Sequence, residues 1–597
     1  MKQQAGRREA ERADEETGPA EPGREEQGRL RAGAGWSARA SDPRRGAGKT
    51  SPAATSLLQG AAMLGLAAVA SKMIGTLQKI PLQNMAGDAV FGIYNAVFPL
   101  YTLILFLATA GFPLVVSKFV SEYAADGRNA QAKQVLRVAS VLLLASGILF
   151  FLLLYMGADV LADWMGAAQA AAAIRSVSFA LLIVPVMSAL RGYFQGYGDM
   201  APTAWSQVIE QAVRVAVMVG LLLALIRLGG SPELIAAGAT FGSVAGAAAG
   251  LAAMLWYWRK ARQTDRLPAV EAAGEGLTVR GRWRSDWTLA KRLSFYAIPL
   301  CLGTLATPIL GLVDSFTMPR LLRQTGWDET GALFQYGLYN HGLPLVQLVA
   351  MIAASMSAAL VPAMAEARHR GDAEAVRSRA GYALRVTWLV GLAASFGLAM
   401  LAEPLNVMFY KSSAGTSAMI VLSFTAVLSA VNLVSSSLLQ GLGAVRAPAL
   451  YLLAAALAKL ALNAALVPRI GIDGAAWAAV AAYALAAGLA LAHALRAAGV
   501  TAPRGRAVMM PMLGIGIMTL GLLAVTHGAA PLLARLFAAM PPRGLAAIVA
   551  LGGVAVGGLA YALALLYLRV VTAQDLALVP RLRGKPLALL RRWRLVR

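Results

Sequence analysis

Long apolar stretches alternate with short polar breaks along nearly the whole chain. From residue 57 onward they resolve into fourteen segments, near 57–80, 89–117, 134–157, 174–196, 204–228, 234–258, 293–317, 333–362, 381–402, 417–440, 449–467, 474–496, 507–528 and 544–568. Runs such as Val141–Gly157, Leu181–Leu190 and Leu221–Ile226 belong to stretches that reach the ~20 helical residues needed to cross a bilayer. Pro and Gly mark many of the ends, and the loops are short except for one hydrophilic connector, Arg259–Arg292. The fold class expected is an all-α polytopic membrane protein of about fourteen transmembrane helices.

One motif occurs twice. Phe91–Pro99 (FGIYNAVFP) returns as Tyr336–Pro344 (YGLYNHGLP), with Gly92, Tyr94, Asn95 and Pro99 repeated 245 positions later as Gly337, Tyr339, Asn340 and Pro344. The same shift carries Gln195, Gly196 and Gly198 onto Gln440, Gly441 and Gly443. Two matches at one offset predict two homologous halves of six spans each, at 56–258 and 293–497, joined by the connector 259–292. Spans thirteen and fourteen, within 498–570, lie outside the repeat. Halves inserted with the same sense are parallel repeats, and transporters of this construction bind between them.

Composition and charge refine this picture. The chain has 597 residues, 58% hydrophobic and only 14% charged, too little charge to cover a soluble protein of this size. The net charge of +24 sits in loops and tails, which points to membrane orientation and anionic head groups rather than nucleic acid. Nine Lys/Arg lie in 259–292 and eight in 569–597, against none in 158–173 and only Lys411 in 403–416. The positive-inside rule places both termini and the connector in the cytoplasm of a plasma-membrane protein, which requires an even number of spans. Residues 1–55, with eleven Lys/Arg and nine Asp/Glu, read as a disordered cytoplasmic tail, or equally as a start site assigned upstream; 571–597 read as a basic tail. The single cysteine, Cys301, excludes an internal disulfide.

Ionisable groups inside spans carry the candidate chemistry, because each costs at least ~2.5–3.5 kcal/mol near the bilayer centre. In span one, Lys72, Thr76 and Lys79 have one-face spacing, which predicts either a cationic wall for an anionic ligand or ordinary snorkelling and pairing. In span five, Gln207, Glu210, Gln211 and Arg214 form one stripe, with Glu210 and Arg214 placed to pair. That stripe predicts either a cavity lining or a helix-locking ion pair. Asp314, after Pro308 and Gly311, is a candidate coupling-ion acid, as is Glu210, or else a structural partner of a basic residue. Asn95 and Asn340 beside the repeated prolines are candidate ligand groups or kink-satisfying amides. Arg191, Gln195 and Gln440 fall at span ends expected to meet lipid head groups. No Walker loop, metal-ligand spacing or nucleophile–base pair is present in the sequence, so no cofactor and no catalytic residue is expected.

The segments SKMIGTLQKIPLQNMAGDAVFGIYN, GFPLVVSKFVSEY, RGYFQGYGDMAPTAWSQVIEQAVRV and QYGLYNHGLPLVQLVAMIAASMSAALVPAMAEA resemble the polysaccharide biosynthesis/stage V sporulation protein B family. That family includes MurJ-like lipid II flippases, within the multidrug/oligosaccharidyl-lipid/polysaccharide flippase superfamily. The resemblance covers about 57–570. It implies an alternating-access carrier moving undecaprenyl-linked sugar precursors to the outer leaflet, driven by membrane potential or an ion gradient. Of the two basic residues in the first span of MurJ-like relatives, Lys72 matches the first; the second falls at Gln78, with Lys79 adjacent. A basic residue in the second span of distant relatives has no match within Phe106–Ala110. A monomer is expected, with envelope-synthesis enzymes as potential partners. The alternatives are a cation antiporter using Glu210 or Asp314, and a non-transporting scaffold for envelope synthesis.

Overall fold

The computed structural model describes residues 52–109, 111–263, 279–501 and 505–571. Among these the regular structure is helical throughout. The helices are α1 Pro52–Leu77, α2 Lys79–Thr109, α3 Phe112–Ala125, α4 Asn129–Met156, α5 Ala158–Met165, α6 Ala171–Ser178, α7 Val184–Gly196, α8 Ala201–Arg227, α9 Pro232–Gln263 and α10 Val279–Gln324. They continue with α11 Glu329–Tyr339, α12 Gly342–His369, α13 Ala373–Met400, α14 Ala402–Tyr410, α15 Thr416–Ser423, α16 Thr425–Gly441, α17 Ala447–Ala498, α18 Arg506–Leu523, α19 Ala530–Leu536 and α20 Pro542–Tyr567. The tail expected at 1–55 lies outside the described residues apart from its last positions, which begin α1. Of the basic tail at 571–597, only its first residue is described. The ends of the connector extend α9 and α10, and residues 264–278 lie outside the description.

Eleven segments among the described residues are long and apolar enough to cross a membrane. Along α4, Val141, Leu144, Ile148, Leu149, Leu152 and Leu153 are all exposed, an apolar stripe that water would not tolerate and lipid would. The chain is a multi-pass membrane protein. The two longest of the eleven segments are long enough to cross more than once. Met63–Ala125 has 63 residues and Ala447–Ala498 has 52. Both are interrupted by glycines in the left-handed region, Gly87 (φ +80°) and Gly111 (φ +72°) in the first and Gly471 (φ +59°) in the second. Only glycine takes that conformation without a Cβ penalty, so the chain can change direction there.

The repeated glycines have one job in both copies. Gly196 presses α7 onto α3 so closely that a Cβ would lie 2.6 Å from Val120 Cβ. Gly441 presses α16 onto α12, where a Cβ would lie 2.7 Å from Met364 Cβ. Two residues on, Gly198 (φ +78°) and Gly443 (φ +86°) end their helices in the left-handed conformation that closes a helix C-terminus.

The long motif pairs with its own duplicate. A Cβ on Gly92 would overlap the carbonyl oxygen of Leu333, and a Cβ on Gly337 would overlap that of Asp88. Residues 88 and 333, like 92 and 337, are 245 apart, so α2 and α11 cross by a reciprocal, pseudo-twofold contact. Backbones approach this closely only where side chains are absent.

A glycine ladder seats the polar helix α8. Gly242 and Gly246 of α9 would each drive a Cβ into an α8 carbonyl, at 2.7 Å from Arg214 O and 2.5 Å from Glu210 O. Gly250 continues the row 3.4 Å from Ser206 O. Gly246→Ala is therefore expected to lower the melting temperature of the detergent-solubilised protein, with an overpacking cost of about 1–3 kcal/mol. Gly220→Ala on α8, where a Cβ meets nothing within 4 Å, is expected to be neutral or stabilising. Equal shifts for the two variants would contradict the ladder.

Candidate functional site

Among the described residues, three clusters of polar side chains stand out in the membrane-spanning part. The first lies on the inner face of α8. Glu210 is shared between two arginines: Arg214 Nη2 lies 2.8 Å from Oε1, and Arg191 Nη2 lies 2.9 Å from Oε2. Arg191 also donates through Nε to Ser206 Oγ at 2.9 Å. All three charged side chains are largely withdrawn from the surface, between 13% and 15% exposed. Two guanidinium groups against one carboxylate leave the cluster with a surplus positive charge. Two of its polar atoms, Gln207 Oε1 and Arg214 Nε, are buried without a protein partner. Gln211 runs the other way, donating to Gln78 Oε1 at 3.3 Å, while Gln78 donates to the Tyr94 hydroxyl at 3.1 Å. The stripe on α8 thus reaches the repeated motif through two amides.

Arg191 therefore meets a buried acid rather than lipid head groups. Sequence spacing ties Arg214 to Glu210 but says nothing of a residue arriving from another helix.

The three residues read as one face of span one have different surroundings. Lys72 is exposed, and Thr76 is buried with its hydroxyl donating to the Lys72 carbonyl at 2.9 Å. Lys79 opens α2 and is buried, donating to Asn95 Oδ1 at 2.9 Å. It neither snorkels nor shares the environment of Lys72. Asn95 and Asn340 act alike, each donating to the carbonyl four residues earlier, Phe91 O at 2.8 Å and Tyr336 O at 2.7 Å. Asn95 in addition holds Lys79.

The second cluster surrounds Asp314 on α10. Lys459 Nζ lies 2.6 Å from Oδ2, and the same nitrogen donates to Leu310 O at 3.2 Å. Tyr339 donates to Oδ2 at 3.0 Å and Asn463 to Oδ1 at 3.2 Å. Asp314 and Lys459 are each 3% exposed, so this is a buried, fully hydrogen-bonded and neutral pair. A soluble cation at Asp314 would compete with the ammonium of Lys459.

The two clusters are related by the repeat. Lys459 stands 245 positions after Arg214, and Tyr339 stands 245 after Tyr94. Each copy thus brings a cation from its α8-like helix and a tyrosine from its motif. The partner acid differs, because the position equivalent to Glu210 is Ala455 and the second copy draws Asp314 from α10 instead. Lys459 is absent from the sequence-derived candidates, although extending the 245-residue offset from Arg214 lands on it.

The third cluster joins the copies. His341 is fully buried, with Nε2 2.7 Å from Asp88 Oδ1 and Nδ1 2.8 Å from Asn406 Oδ1. Gln83 donates to Asp88 Oδ1 at 2.9 Å. Neither Asp88 nor Asn406 is singled out by sequence spacing, since 253 residues separate Asp88 from His341.

Known proteins place this architecture. The family described as "Polysaccharide biosynthesis protein" matches residues 57–368. A Bacillus subtilis (strain 168) relative named "Uncharacterized membrane protein YabM" is 33% identical over 526 residues, covering 87% of this chain and 94% of its own. From the same organism, "Lipid II flippase MurJ" is 28% identical, covering 70% of this chain and 79% of its own. "Stage V sporulation protein B" of that organism is 27% identical, covering 74% and 83%. Among solved structures, a lipid II flippase MurJ in an inward closed conformation shares the fold at TM-score 0.56 and 12% identity, covering 84% of this chain and 97% of that one. An inward-facing MATE family multidrug resistance transporter shares it at TM-score 0.56 and 16% identity, covering 72% and 94%. The match across both copies of the long motif, together with the YabM-like relationship over nearly the whole chain, shows that this protein belongs to the polysaccharide biosynthesis protein family.

Proposed function

We propose that the protein is an alternating-access flippase for undecaprenyl-pyrophosphate-linked sugar precursors of the cell envelope. The observation that carries this reading is the surplus positive charge of the Arg191–Glu210–Arg214 cluster, set on a helix face inside the protein. A pyrophosphate needs cationic donors that fork onto its oxygens, which arginine supplies. The unpartnered Gln207 Oε1 and Arg214 Nε offer an acceptor for a sugar hydroxyl and a further donor for the phosphate. Lys72, exposed one helix away, adds a cation, while Lys79 acts by holding Asn95 in place.

The lipid tail needs an apolar groove. Helix α18 offers an exposed apolar face for it, formed by Met509, Leu513, Ile517 and Leu520. The name of the MurJ relative, a lipid II flippase, agrees with a lipid-linked substrate. The reading includes two six-span lobes with a connector and two added spans. It makes fourteen crossings if each interrupted long segment crosses twice and α10 crosses once. Both termini face the cytoplasm of the plasma membrane. The chain works as a monomer beside envelope-synthesis enzymes. It is a carrier and has no catalytic step.

Flipping of fluorescent lipid II in proteoliposomes tests this. Charge-assisted bonds of this kind are worth about 1.5–3 kcal/mol, so Arg191→Gln and Arg214→Gln are each expected to slow flipping by roughly tenfold or more. Their double variant should fail to support growth of a strain depleted of its lipid II flippase. Full rescue by the double variant would refute the proposal.

A further inference from the structure

The Asp88–His341 contact holds a proton that the surrounding hydrogen bonds make obligatory. Asn406 donates through Nδ2 to Ala414 O at 2.9 Å and to Thr416 Oγ1 at 3.1 Å. Ala414 O only accepts, and the Thr416 hydroxyl has its own proton committed to Ser413 O at 2.6 Å. The amide of Asn406 therefore turns its NH2 toward both, and its Oδ1 toward His341 Nδ1. Nδ1 must carry hydrogen. The other ring nitrogen faces a carboxylate oxygen at 2.7 Å, so that contact too needs a proton between the partners. Without it, a buried lone pair would face a buried carboxylate.

The polar and aromatic groups around the ring come from α2 and α14, while α15 brings the apolar Met419 and Leu422 against the adjacent Gly342. Helix α2 supplies Gln83, Asp88 and Phe91, and α14 supplies Asn406 and Tyr410, whose ring stacks on His341 at 4.0 Å. Of these only Asp88 and Tyr410 are ionisable side chains, and Lys411 beyond them is exposed. The pair bridges the two copies of the repeat at the place where Gly337 meets the Asp88 backbone.

We propose that Asp88 and His341 form the coupling-proton site of this transporter: the interlocked copies hold one proton there, and their separation releases it to water. This rests on the alternating-access reading above. With the copies apart, no neighbour requires a proton between the two groups. The interlocked state then binds one proton more than the separated state, so it weakens as pH rises. In the proposed orientation this end faces outward, so external acid closes it.

Hydrogen–deuterium exchange of the full chain in detergent tests the site without any lipid substrate, so its result is independent of the substrate assignment. Peptides covering 81–95 and 333–345 are compared at pH 6.5 and 8.5 after correction for intrinsic exchange. Protection is expected to fall by at least tenfold at the higher pH. Asp88→Asn is expected to be protected at both values, because its NH2 can donate to a neutral Nε2 and no shared proton is needed. Should Asp88→Asn fail to fold, His341→Gln, which has no titrating ring, is expected to give the same flat profile. A wild-type profile that does not change with pH, or a wild-type slope persisting in the folded variant, would overturn the proposal.

Discussion

Replacing Lys459 with methionine is expected to be among the most damaging single changes in the molecule. The substitution keeps most of the side-chain volume but leaves the Asp314 carboxylate 3% exposed and without its counter-charge. Tyr339 and Asn463 still donate to it, yet two neutral donors do not replace an ammonium at 2.6 Å. Breaking a buried pair by removing one partner typically costs about 3–5 kcal/mol. The expected result is a protein recovered in low yield, with a melting temperature well below wild type. Adding Asp314→Asn should return most of that stability, because the pair is then replaced by neutral groups. The same variant also examines Asp314 as a coupling group. If sodium or potassium selectively restores stability to Lys459→Met, Asp314 can bind a cation whose place the lysine fills. A double variant no more stable than the single one would mean that the pair contributes little.

Gly92→Ala and Gly337→Ala form the second large effect. Each methyl group would overlap a carbonyl oxygen on the facing helix, and neither carbonyl can move without its helix. Helices α2 and α11 must then separate, which also strains the Asp88–His341 contact. Each variant is expected to lose transport in the proteoliposome assay and about 1–3 kcal/mol of stability. Because both methyls push the same two helices apart, the double variant should cost clearly less than the sum of the singles. Additive effects would show that the reciprocal contact is not one mechanical unit.

Much of this was legible in the chain. The all-helical, polytopic class followed from apolar run length, which a bilayer imposes directly on sequence. The Glu210–Arg214 pair followed from i, i+4 spacing, a purely local property of a helix. The repeated glycines were visible as a pattern, and their purpose emerged with the packing: Gly196 and Gly441 admit a facing helix, while Gly198 and Gly443 turn the chain. Lys72, Thr76 and Lys79, one face by spacing, do not share one environment. Position along a helix fixes direction, but the neighbours that bury Lys79 and leave Lys72 exposed come from elsewhere in the chain.

By itself, the sequence determined what is periodic or local: the membrane-crossing helices, the repeated motif, the polar stripe of α8 and the family to which the chain belongs. Only the tertiary structure decided who faces whom. It gave Glu210 a second arginine from α7, gave Asp314 a lysine 145 residues away, and set His341 against Asp88 across the repeat. The physical reason is the same in each case. In a low-dielectric interior a charge must find a partner wherever the packing of distant helices brings one, and no spacing rule within one segment records that meeting.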